Sequence, residues 1–127
     1  MADDWYAKGT FDNISGFGYV TYVDYYVASL NDGGSIGDIP VSLNNARYCP
    51  NYEWDCSGAT KIDWWMKLQR WSSDTGWVTI GTRSGYISGT SPSNRTFTDV
   101  IRGRSLMRVV LVFSAASTHY TDYFRHE

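Results

Sequence analysis

Between Lys61 and Trp71 the chain alternates with a period of two. Ile62, Trp64, Met66 and Leu68 fall on one parity, and Asp63, Trp65, Lys67, Gln69 and Trp71 on the other. Successive side chains of a strand point to opposite faces, so this stretch reads as a strand with one buried face and one wet face. Nowhere do apolar residues recur at the spacing of a helix face. The rest of the chain continues in the same style. Trp5 to Phe11 reads as a strand, Gly18 to Leu30 as a long β-rich run, and Ile39 to Leu43 with Arg47-Tyr48 as a weaker strand. A single helical turn is admitted at Asn44 to Ala46. After the Ser72 to Gly76 hairpin loop, Trp77 to Thr82 pairs back and runs on raggedly to Ile87. Thr96 to Ile101, the very apolar Leu106 to Phe113, and an edge strand from His119 to Phe124 complete the chain. The expected fold is therefore all-β: one antiparallel β-sandwich domain over residues 1–127, with seven to nine strands.

With 127 residues the chain is long enough to bury a core without metals or several disulfides. Aromatics make up 17% of it, which suits strands and contact surfaces alike. The net charge of −2 argues against a nucleic-acid partner. The charge is uneven: residues 1–60 hold two bases and eight acids, and residues 61–127 hold nine bases and five acids. Facing strands that neutralise each other would account for this, and a basic face built from Arg102, Arg104 and Arg108 is the alternative. No apolar run is long enough for a transmembrane helix. Met1-Ala2-Asp3-Asp4 reads as the start of a mature exported chain behind an added methionine. Cys49 and Cys56 bracket a short loop, and a disulfide between them would suit a secreted protein. Edge strands rich in aromatics leave a dimer open.

From Met66 onward the chain carries Lys67-Leu-Gln-Arg70, Gly76-Trp-Val-Thr79, the Ser88 to Thr90 loop, Arg102-Gly-Arg104 leading to Arg108-Val-Val, and Tyr120 to Phe124. In these residues it resembles small exported proteins of Gram-positive bacteria. The resemblance covers about half the chain, roughly 66–124, and implies an immunoglobulin-like sandwich and export. It transfers no functional residue.

No catalytic motif is present. His119 and Asp122 have opposite strand parity, which disfavours a His–Asp relay, and Glu53 with Asp55 sit in a turn. The chain is therefore expected not to be an enzyme. Asn31, Asp32, Ser35 and Asp38 offer oxygens in a glycine-rich loop, a weak match for calcium; no other metal or cofactor is expected. The strongest site is the wet face of the 61–71 strand. Trp65 and Trp71 stand about 20 Å apart at the usual strand rise, with Lys67 and Gln69 between them. Sugar rings stack their apolar faces on indole while their hydroxyls meet amides and ammonium groups. A glycan or cell-surface polymer is the expected ligand. Tyr19, Tyr25 and Tyr26 are candidates to extend that surface. The alternative is an antibacterial, toxin-like or inhibitor protein that engages a protein or membrane through Tyr52 and Trp54 on the cysteine loop.

Overall fold

The computed structural model describes residues 5–11, 20–30, 34–49, 57–58, 62–87, 93–113 and 118–127. They form β1 (Tyr6–Phe11), β2 (Val20–Ala28), β3 (Ile36–Cys49), β4 (Ser57–Gly58), β5 (Ile62–Ser72), β6 (Gly76–Ile87), β7 (Ser93–Ile101), β8 (Leu106–Phe113), β9 (Thr118–Tyr120) and β10 (Phe124–Arg125). Every pairing is antiparallel. One sheet runs β1-β2-β3, with β4 and β7 sharing the far edge of β3. The other runs β8-β5-β6, with β9 and β10 sharing the free edge of β8. Two sheets packed face to face make the chain a β-sandwich, as the alternation requires. Among the described residues no helix is long and apolar enough to cross a membrane.

The core lies between the sheets. Trp64, Met66 and Leu68 of β5 and Met107, Val109, Leu111 and Phe113 of β8 meet Val23, Val27, Ile39, Val41, Leu43 and Phe97 of the first sheet. Tyr25 belongs to this layer, at 7% exposure. It stacks on Phe11 at 4.5 Å, and its hydroxyl accepts the backbone N–H of Asp122 at 3.1 Å. Burial raises the pKa of this phenol. Tyr26 is exposed on the opposite face of the first sheet, so neither residue extends the surface around Trp65. Tyr19 lies outside the described residues.

Three irregularities shape the sheets. Residues 44–46, where a helical turn was admitted, are strand: β3 is one 14-residue element, and Asn45-Ala46 bulges opposite Val23. A second bulge sets Thr98 and Asp99 against Asp38. Asp99 takes a left-handed φ of 55°, and its N–H is held by Oδ1 of Asp38 at 3.2 Å. The third bulge inserts Ile80 of β6 between the pairs Leu68↔Gly81 and Gln69↔Thr79.

Where the chain crosses from β6 to β7, and so from one sheet to the other, two arginines clasp the edges. Arg95 Nε donates to Ser84 O at 3.1 Å, with its guanidinium over the Trp64 ring at 5.4 Å. Arg83 Nε donates to Thr96 O at 3.2 Å, with its guanidinium over Phe97 at 4.8 Å. Edge carbonyls of both strands are thereby satisfied by side chains rather than left open to another strand.

Candidate functional site

The pleat of β5 separates its two sets of side chains. Trp64, Met66 and Leu68 are fully enclosed, whereas Trp65 is 51% and Trp71 44% exposed. Directly opposed residues of paired strands share a face, so the register builds the outer surface row by row. Ser84, Trp65, Val112 and Thr118 make one row, and Thr82, Lys67, Val110 and Tyr120 the next. Thr79, Gln69 and Arg108 follow, then Trp77 beside Trp71. A shallow groove of about 490 Å³ opens beside Trp65, lined also by Lys67, Thr82, Arg83, Ser84 and Val112.

The residues of this face hold one another. The Trp71 and Trp77 rings meet edge-on at 5.5 Å, and Trp77 lies 5.3 Å from Tyr123. The Arg108 guanidinium lies over Trp77 at 4.2 Å and over Tyr120 at 4.5 Å. Its Nε donates to Gln69 Oε1 at 2.9 Å, and Gln69 Nε2 donates to Thr79 Oγ1 at 3.1 Å. Gln69 is thus oriented by one partner on each flanking strand. At the Trp71 end, Arg70 turns the other way, donating to Ile101 O and approaching Met107 Sδ at 3.7 Å. Burial lowers the pKa of its guanidinium.

Trp77, Tyr120 and Arg108 were not placed on this face by the sequence reading. Strict alternation puts Trp77 on the parity of Gly81 and Arg83, which is the core side. The Ile80 bulge switches that parity and brings Trp77 and Thr79 out beside Thr82 and Ser84. A glycine within a strand marks a bulge or a close approach, so Gly81 is the signal that was available.

The remaining candidates fare differently. Tyr52, Trp54, Cys56, Asn31 and Asp32 lie outside the described residues, as does the side chain of Cys49. Asp38 is engaged with the Asp99 bulge. Among the described residues no group of three His, Cys, Asp or Glu side chains is poised to hold a metal. The two C-terminal histidines differ in setting: His119 is half-buried on the edge strand β9, and His126 is enclosed. His119 sits 5.5 Å from Phe11 and 5.6 Å from Phe113. His126 is fully buried, 2.9 Å from Val100 O through Nε2 and 2.6 Å from Ser29 Oγ through Nδ1. A carbonyl only accepts, so Nε2 carries a hydrogen; in the neutral ring Nδ1 then accepts from the Ser29 hydroxyl. Ser29 is 5% exposed, and the pair fastens the C-terminus to the end of β2.

Comparison of the chain with protein-family profiles, with curated proteins and with solved structures finds no match.

Proposed function

We propose that this chain is a secreted, non-enzymatic binding module that holds a glycan or cell-surface polymer along the outer face of the second sheet. The observation that carries the reading is the pair of half-exposed indoles, Trp65 and Trp71, at the two ends of one strand face with Lys67 and Gln69 between them. The face is wide as well as long. Tyr120, two strands across from β5, is 55% exposed, and the groove beside Trp65 offers hydroxyls from Thr82 and Ser84. Flat aromatic surface with interspersed amide, hydroxyl and ammonium groups matches a sugar chain, which is apolar on its ring faces and polar around its edges. The mutual packing of Trp71, Trp77, Arg108 and Gln69 holds the contact groups in place before a ligand arrives, which lowers the entropy lost on binding.

Polysaccharide pull-down and a glycan array compare the parent with Trp65→Ala and Trp71→Ala. Both indoles are surface groups, so each variant is expected to fold. Retention of a polysaccharide by the parent and its loss in both variants is the expected result. Equal retention of all three proteins removes the face from consideration.

A further inference from the structure

We propose that the polymer held on this face is an acidic polysaccharide whose rings carry carboxylates, with Arg108 as the anion anchor. The inference deepens the glycan reading and rests on it. Charge is the first observation. The strands of the second sheet carry five bases, Lys67, Arg70, Arg83, Arg108 and Arg125, and a single acid, Asp63. The strands of the first sheet carry three bases, Lys8, Arg47 and Arg95, and three acids, Asp24, Asp38 and Asp99. Among the described strands, one sheet is thus electrically balanced and the other basic. On the basic sheet's outer face, Lys67 and Arg108 lie in adjacent rows, and no acid occurs in the rows from Trp65 to Trp71. Asp63 lies beyond Trp65, opposite Tyr86.

The second observation is how Arg108 is held. Its Cζ lies over the Trp77 ring at 4.2 Å and over the Tyr120 ring at 4.5 Å, and its Nε is fixed by Gln69. Its two terminal nitrogens have no hydrogen-bond partner among the described residues. A guanidinium packed against two rings and tied at Nε keeps its terminal N–H groups for a ligand, and a carboxylate accepts such a pair. A polymer lying from Trp65 to Trp71 displaces water from Lys67 and Arg108. Under a neutral sugar chain both cations lose hydration without a charged partner, which opposes binding. A carboxylate on the ring supplies the partner.

The test measures affinity for an oligogalacturonate and for a neutral cello-oligosaccharide of equal length, using the parent, Lys67→Gln, Arg108→Gln and Trp65→Ala. Vesicles of phosphatidylglycerol are run in parallel. Lys67 is an exposed side chain, so its variant reports on charge even if loss of Arg108 loosens the aromatic sandwich. The expected result is a preference of about tenfold or more for the acidic oligomer, the scale of one charge-assisted hydrogen-bonded contact. It shrinks in both charge variants and fades near about 0.5 M salt as screening shortens the reach of the charges. Equal binding of both oligomers, abolished by Trp65→Ala, overturns this inference and leaves the glycan reading standing. Capture by the vesicles without binding of either oligomer overturns both.

Discussion

Replacing Gly85 by alanine sets two effects against each other with opposite signs. Glycine in a strand interior is unfavourable, so propensity alone makes the change stabilising by about 0.5–1 kcal/mol. Packing says otherwise. A methyl group at this position meets Arg95 Nη2 at 2.5 Å and Trp64 Cζ2 at 2.8 Å, about 1 Å inside ordinary carbon contact. Arg95 is the flexible end of a side chain and can withdraw. Doing so gives up its hydrogen bond to Ser84 O and its position over the indole, together worth about 1–2 kcal/mol. Trp64 is fully enclosed, so its shift is an overpacking strain of about 1–3 kcal/mol. The net expectation is destabilisation by about 1–4 kcal/mol, read as a lower urea midpoint with an unchanged slope. Gly103 is the control: an added Cβ there has no neighbour within 4 Å, so Gly103→Ala is expected to stay within about 0.5 kcal/mol of the parent. A Gly85→Ala protein as stable as the parent, or more so, refutes the clasp between Arg95, Trp64 and the edge of β6.

Two further outcomes follow from the same packing. Folding favours the neutral phenol of Tyr25, so the stability it contributes is complete below about pH 10 and is lost as pH rises through its raised folded-state value. Tyr25→Phe is therefore expected to lose about 1 kcal/mol at neutral pH, where the Asp122 N–H loses its acceptor, and to show a flatter alkaline limb in denaturant titrations; a limb as steep as the parent's contradicts the assignment. Deleting Ile80 removes the bulge while keeping Trp77 opposite Trp71 and Thr79 opposite Gln69, so the protein is expected to fold and to keep its polysaccharide retention. Deleting Val78 instead also keeps Trp77 opposite Trp71 but turns Thr79 to the core side and sets Ile80 opposite Gln69, so weaker retention is expected.

The clearest part of the sequence was β5, because only one of its faces enters the core and selection for burial leaves a period-two trace on Trp64, Met66 and Leu68. The same logic reaches β8: Met107, Val109, Leu111 and Phe113 are buried, so Arg108 has to share the other face with Val110 and Val112. That alternation was present in the sequence but masked by the strand's nearly continuous apolar character. The parity of Trp77 was hidden for a different reason, since a single inserted residue reverses every side chain beyond it and Gly81 is its only local mark. In β2 the run from Tyr22 to Val27 does alternate: Val23, Tyr25 and Val27 are buried, and Tyr26 is exposed on the parity of Asp24. That period sorts Tyr25 from Tyr26, but it carries no trace of the Asp122 N–H that the C-terminal segment brings to the Tyr25 hydroxyl. The bond between Ser29 and His126 joins residues 97 positions apart, and no local pattern encodes it.

The most direct measurement is a nitrogen–proton spectrum of the indole Nε1–H groups during titration with the oligogalacturonate. Signals of Trp65 and Trp71 are expected to move together and saturate at one ligand concentration, while that of Trp64, enclosed on the other side of the same strand, stays where it is. Indoles at 65 and 71 that ignore every concentration of the acidic and the neutral oligomer alike contradict the assignment of this face to carbohydrate.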